Sequence, residues 1–229
     1  MDGEDREYRR AGFTTATGST IKFTKMNRRT FTYSGAMAAA GLSLTSTFAA
    51  PAGEGKIGNL SAAEFDKMNK AAGAKVKALK PSAVALSKGD AKLMMEIAAG
   101  GMMQLEASRL AIQKATAADV RKIAEAEVEE QTGLSMKLQE FAAAKQITLP
   151  STPDKKAAKT VGKLQEAAGA DFDRAYLTES GVKGHELLQE TMTRVQEKAE
   201  DADLKALAAT ALPLIQTHLQ VSRDEMAAL

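Results

Sequence analysis

The sequence predicts an all-α protein, a four-helix bundle with extra short helices, and three observations carry that reading. Alanine fills 44 of the 229 positions while aromatic residues make up only 4%, a balance that favours helix over strand. Apolar residues recur at spacings of three and four along four separate segments. Only five prolines occur, and all but Pro213 fall outside those segments.

Residues 1–52 read as an export leader. Asn27-Arg28-Arg29-Thr30-Phe31 precedes a mildly apolar run from Ser34 to Ala50, and small residues suited to cleavage lie at Ala50 and Ala52. A basic region, a short apolar stretch and such a site describe an export signal. The run falls short of the ~20 apolar residues that span a bilayer. The paired arginines followed by x-Phe resemble the twin-arginine signal, although Asn27 stands where Ser or Thr is usual; the ordinary secretory route is the alternative. Met26 directly precedes the motif, so either translation starts there or residues 1–25 extend the leader.

Residues 53–87 read as a tether and a short amphipathic helix. Pro51 to Asn59 is Gly-rich and expected to be flexible, and the helix covers 61–79, stopped by Pro81. The bundle then occupies 88–227. Its first helix runs over 89–114, with Met94, Ile97, Leu105 and Ile112 available for burial. The second starts at Thr116, where Thr116-Ala117-Ala118-Asp119 reads as a capping box. Its stripe runs through Val120, Ile123, Ala124, Val128, Leu134 and Leu138 to Phe141. A long connection over 150–170 carries a short helix near 154–167. The third helix covers 171–199, with Phe172, Tyr176, Val182, Leu188, Met192 and Val195 inward. The fourth covers 203–226, with Leu204, Leu207, Ala211, Ile215 and Val221 on one face, and Pro213 is expected to kink it. Short links make antiparallel neighbours of helices one and two and of three and four, while the long link between two and three can cross the end of the bundle. That is the ferritin-like arrangement.

Charge and composition exclude several functions. The net charge of +2 divides into seven Lys/Arg against four Asp/Glu over residues 1–50, and 24 against 25 over the remainder. The exported part therefore lacks the basic face of a nucleic-acid binder. With no cysteine there is no disulfide framework, thiolate site or cysteine nucleophile. Two histidines exclude any three-histidine cluster. His185-Glu186-Leu187-Leu188-Gln189 lacks the second imidazole of a zinc-protease helix. No spacing singles out a Ser, His and Asp set. Met94, Met95, Met102 and Met103 read as core filling rather than copper ligands, and Gly100-Gly101 as a site of close helix packing.

The run Gly100-Gly101-Met102, Leu110-Ala111, Leu149-Pro150, Phe172-Asp173 with Tyr176, His185-Glu186, and Leu212-Pro213 through His218-Leu219 carries a resemblance. Over about residues 88–223 the chain is similar to the bacterial exported family known as domain of unknown function 4142, whose members are regarded as ferritin-like and as periplasmic or outer-membrane proteins. Gln104 stands where that family usually has Glu, Glu130-Gln131 where it has Asp-His, and Gly184-His185 where it again has Asp-His. The resemblance implies fold and export and brings no established activity.

Gln104, Gln131, His185 and His218 each lie on or beside the apolar stripe of a different helix, close to its midpoint. Midpoints meet in an antiparallel bundle, so the four are expected in one layer. An unpaired buried amide costs ~1–3 kcal/mol, so they must pair with each other, with water or with an ion. Glu127 lies one turn before Gln131 and supplies a carboxylate; Glu106 points elsewhere if Gln104 points inward, and Glu130 and Glu186 adjoin the layer. One reading is a hydrogen-bonded layer that fixes helix register. The other is a mononuclear site for a divalent transition metal such as zinc, iron or copper, using His185 and His218 with oxygen ligands from Glu127, Gln131 and Gln104. The Glu-x-x-His pattern of bundle di-iron sites is absent, since Val182 and Ile215 stand three residues before the histidines. The leading functional expectation is therefore a non-enzymatic exported bundle with an envelope or stress role, acting on a protein partner in the cell envelope. A periplasmic metal-handling protein is the alternative.

Overall fold

The computed structural model describes residues 55–229, so the leader, its cleavage sites and the Met26 reading lie outside the described residues. The fold is all-α apart from one two-strand hairpin. Strands β1 (Lys56–Ile57) and β2 (Leu60–Ser61) pair antiparallel across a turn in which Gly58 has φ 60. This hairpin stands where a flexible tether was expected. Ile57 is buried, and the Gly58 N–H donates to the Glu225 carboxylate near the far end of the chain. A Cβ on Gly58 would sit 3.1 Å from the Asp224 side chain, so glycine suits the turn on two counts.

Helix α1 (Ala62–Ala78) falls within the 61–79 expected and opens on a complete capping box between Ser61 and Glu64. The long helices are α2 (Lys88–Lys114), α3 (Ala118–Ala144) and α7 (Ala202–Ala228), with α4 (Lys155–Glu166) in the connection after α3. The third predicted helix is a rod in three parts: α5 (Gly169–Tyr176), a π-helical turn (Leu177–Val182) and α6 (Lys183–Lys198). The π turn inserts a residue relative to an α-helix. It brings His185, Leu188 and Met192 onto the face of Phe172 and Tyr176, and leaves Val182, expected inward, only half-buried. Leu105, Ile112 and Val128 are likewise half-buried; Ala107, Ala111 and Ala126 take core positions and let the helices approach closely.

The Thr116 capping box does not form. Helix α3 starts with Ala117 as its N-cap and no side-chain cap. Thr116 Oγ1 donates to Asp173 of α5 at 2.5 Å, and the Thr116 and Ala117 N–H groups donate to the same carboxylate at 3.0 and 2.9 Å. These bonds aim the Thr116 hydroxyl at α5 rather than at the first-turn N–H groups of its own helix. Asp90 of α2 ties the other tight link in the same way, accepting from the Glu200 and Asp201 N–H groups at 3.0 Å.

Helix α2 packs on α3 and α6, α6 on α7, and α3 on α7; α1 lies against α3 and α7, and α4 against α2. Pro213 sits inside α7 with its face exposed, so the carbonyl it deprives of a partner, at exposed Ala209, meets water. No helix among the described residues is long and apolar enough to cross a membrane. The buried apolar residues fall into two clusters. One holds Met94, Leu138, Met192 and Leu207; the other holds Phe65, Ala111, Ile123 and Phe172. Each of α1, α2, α3, α7 and the α5–α6 rod contributes to both clusters, and on each a buried polar residue separates the two contributions.

Candidate metal centre

Those separating residues are Asn69 on α1, Gln104 on α2, Glu127 and Gln131 on α3, His185 on α6 and His218 on α7. They form a single connected layer. Glu127 Oε2 lies 2.9 Å from His185 Nε2 and 2.7 Å from His218 Nδ1. The other Glu127 oxygen accepts from Gln131 Nε2 at 3.0 Å. The two imidazole rings stand 5.5 Å apart between centroids, and Phe65 packs against His218 at 5.1 Å.

The outer nitrogens set the tautomers. His185 Nδ1 lies 2.8 Å from the Gly181 carbonyl and 3.2 Å from that of Ser180. Carbonyls only accept, so this nitrogen carries the proton. Both carbonyls belong to the π turn. Gln104 Nε2, 3.1 Å from the same ring nitrogen, donates to Ser180 O at 3.1 Å, while Gln104 Oε1 accepts from Ser180 Oγ at 2.5 Å. On His218, Nε2 donates to Asn69 Oδ1 at 2.6 Å, and the Asn69 amide is oriented by its own bond to the Phe65 carbonyl at 2.8 Å. With both outer nitrogens protonated, the inner nitrogens turn their lone pairs toward a carboxylate oxygen. Two lone pairs and an anion converging within 4.8 Å repel unless a proton or a cation lies among them.

Electrostatics divide the layer unevenly. Burial pushes the Glu127 carboxyl up, but the two imidazoles more than offset this and hold it well below the usual carboxylate range. Burial depresses His185, yet the Glu127 charge prevails and raises it; burial prevails at His218 and lowers it. Glu130, one turn along α3, is buried with neither oxygen hydrogen-bonded, its Oε2 being 3.4 Å from His218 Nδ1. Burial and the neighbouring Glu127 charge push Glu130 far above the carboxylate range.

Of the residues expected to hold a metal, Glu127, His185 and His218 converge on one point. Gln131 stands behind Glu127, and Gln104 behind His185. Glu106 is half-buried on another face of α2, and Glu186 is exposed, paired with Arg223 at 2.8 Å. The sequence reading missed Asn69 and Ser180, and placed Glu130 beside the layer without its lack of hydrogen-bond partners. Asn69 had a signal, being the polar member of the buried series Phe65, Asn69 and Val76 on α1. Ser180 and the π turn had none of that kind. Gly181 and Gly184 admit their neighbours there, since a Cβ on either would fall 2.8 Å from Ser222 or 2.6 Å from Gln104.

The family described as Domain of unknown function (DUF4142) matches residues 75–224. The chain belongs to this family. The DUF4142 match begins within α1 and ends within α7, so it includes Gln104, Glu127, Glu130, Gln131, His185 and His218 but not Asn69. No curated protein and no solved structure matches the chain.

Proposed function

We propose that the protein binds one divalent transition-metal ion between its helices, with His185 Nε2, His218 Nδ1 and Glu127 as ligands and Glu130 as a fourth, in an exported domain of the cell envelope. One observation carries the reading: the buried Glu130 carboxyl has no partner for either oxygen, beside a triad whose imidazoles already donate outward. An unpartnered carboxyl in an apolar interior costs several kcal/mol. A divalent cation would neutralise both glutamates at once with the histidines neutral. The outer ring supports this, because metal-bound histidines ordinarily donate their second N–H to a carbonyl or other oxygen acceptor. Mixed imidazole and carboxylate sets suit zinc and iron. The role we read is metal binding, and no catalytic step is assigned to it. Export rests on the Arg28-Arg29 leader and its apolar run.

A second reading keeps the layer as a metal-free register device, and the 2.7 and 2.9 Å contacts favour it because they are hydrogen-bond lengths. Elemental analysis of the purified protein separates the two. The metal reading expects close to one ion per chain, lost in His185→Ala and in His218→Ala. Trace metal that ignores both substitutions would overturn it and leave the register device.

A further inference from the structure

A cavity of about 360 Å³ opens between α2, α3 and the chain that follows α3. Its inner wall lies one helical turn from the centre on three elements at once. Gln131 is four residues after Glu127, Leu188 three after His185, and Ile215 three before His218, and all three line it. Ile97, Leu134, Leu138 and Met192 add aliphatic surface to this wall. Two motifs from the sequence border it as well: Gly101 and Met102 on α2, and Leu149 and Pro150 at its mouth.

Among the polar residues of its lining, Gln131 is the buried one; Ser135 is half-buried, and Gln139 and Ser151 are exposed. Gln131 is 2% exposed and commits its Nε2 to Glu127, which turns Oε1 toward Gly101. A Cβ at Gly101 would lie 3.0 Å from that oxygen, so glycine leaves the carbonyl accessible from the cavity. No donor among the described residues reaches it. Arg109 and Glu106 both stand at the rim, and their opposite charges favour neither an anion nor a cation. We infer that this cavity is the ligand pocket of the centre, built for an uncharged hydrocarbon bearing one hydroxyl, a phenol or an aliphatic alcohol, whose O–H donates to Gln131 Oε1. The volume is in the range of small-molecule sites, which are mostly apolar with a few placed polar groups. As the pocket of that centre it rests on the metal reading; its affinity for the hydroxyl compound does not, because the anchoring oxygen is Gln131's.

The absence of tryptophan allows a direct test with 2-naphthol, whose own fluorescence reports binding, against naphthalene as the partner without a hydroxyl. Saturable one-site binding is expected, roughly tenfold tighter for 2-naphthol than for naphthalene, the size of one buried hydrogen bond. Gln131→Met should bring 2-naphthol down to the naphthalene level. Ala98→Phe and, from the opposite wall, Ser135→Phe should each weaken both compounds at least tenfold, with melting curves confirming the fold. Equal affinity for the two compounds, no saturable binding, or indifference to both Phe variants would overturn the inference. The titration is run with the ion chelated and restored, and metal content is measured alongside. Metal without 2-naphthol binding removes the pocket and keeps the ion. Binding of 2-naphthol by a chain that takes up no metal does the reverse.

Discussion

At the scale of single residues, the layer works through which atom of each side chain is already engaged. Asn69 accepts from His218 and is held by Phe65, so it fixes the ring rather than touching the convergence point. Removing such an outer partner ordinarily costs 10–100-fold in metal affinity. Asn69→Leu is therefore expected to weaken metal binding by about that factor in a calorimetric titration, with the stoichiometry intact. An unchanged affinity would take Asn69 out of the ligand-orienting ring. Legibility in the sequence follows the same division. His185, His218 and Glu127 stood out because polar groups on an apolar stripe are a local signal. The Asn69–His218 bond joins residues 149 apart, Asn69 lying in a segment read as a tether and a helix outside the bundle, and no spacing announces it. Glu130 appeared only as a neighbour of the layer, because a side chain's lack of partners is a property of the packed state.

At the scale of elements, helix bounds were readable and their tethering was not. Periodicity places α1 and α4 within a residue or two, because it depends on neighbours three and four apart. The start of α3 was misplaced because Thr116, read as its cap, is held instead by Asp173, 57 residues away. The π turn was missed because it depends on what Gly181 and Gly184 admit from α7 and α2. Elsewhere, Lys145 ties three elements. It ends α3 with a fully buried side chain, 2.6 Å from Asp201 and 2.8 Å from Asp203. Asp201 caps α7 through the Leu204 N–H, and Asp203 accepts from the Ser82 N–H and hydroxyl at 2.7 Å. Burial opposes both charges, but the pairing prevails: it holds Asp203 below the usual carboxylate range and raises Lys145. A lowered carboxylate stabilises above its unfolded pKa and loses that contribution as pH falls through the folded one. A raised lysine stabilises below its unfolded pKa and loses it as pH rises through the folded one. The knot is thus fully formed between roughly pH 4 and pH 10. Lys145→Met should lower stability on the order of 3 kcal/mol at neutral pH, and less at pH 2, where the contribution of the lowered Asp203 carboxylate is being lost. Denaturant unfolding at the two pH values checks this; an equal difference at both would show that the charges contribute nothing.

At the scale of the whole molecule, the interior is two apolar clusters divided by one polar sheet of side chains. Five separate elements all place their polar residue at the same depth, which a purely apolar packing would not require. The positive excess of the chain lies in residues 1–50, where the proposed export signal was read. Replacing Arg28 and Arg29 by lysine should keep the protein out of the periplasm in a fractionation experiment, whereas unchanged appearance there would assign export to the ordinary secretory route. The central claim concerns what lies among His185, His218 and Glu127. Crystals grown with zinc and measured at its absorption edge address it directly. The account expects one anomalous peak at coordination distance, ~2.0–2.2 Å, from His185 Nε2, His218 Nδ1 and a Glu127 oxygen. A featureless map there, with both imidazoles still in hydrogen-bond contact with Glu127, would contradict it.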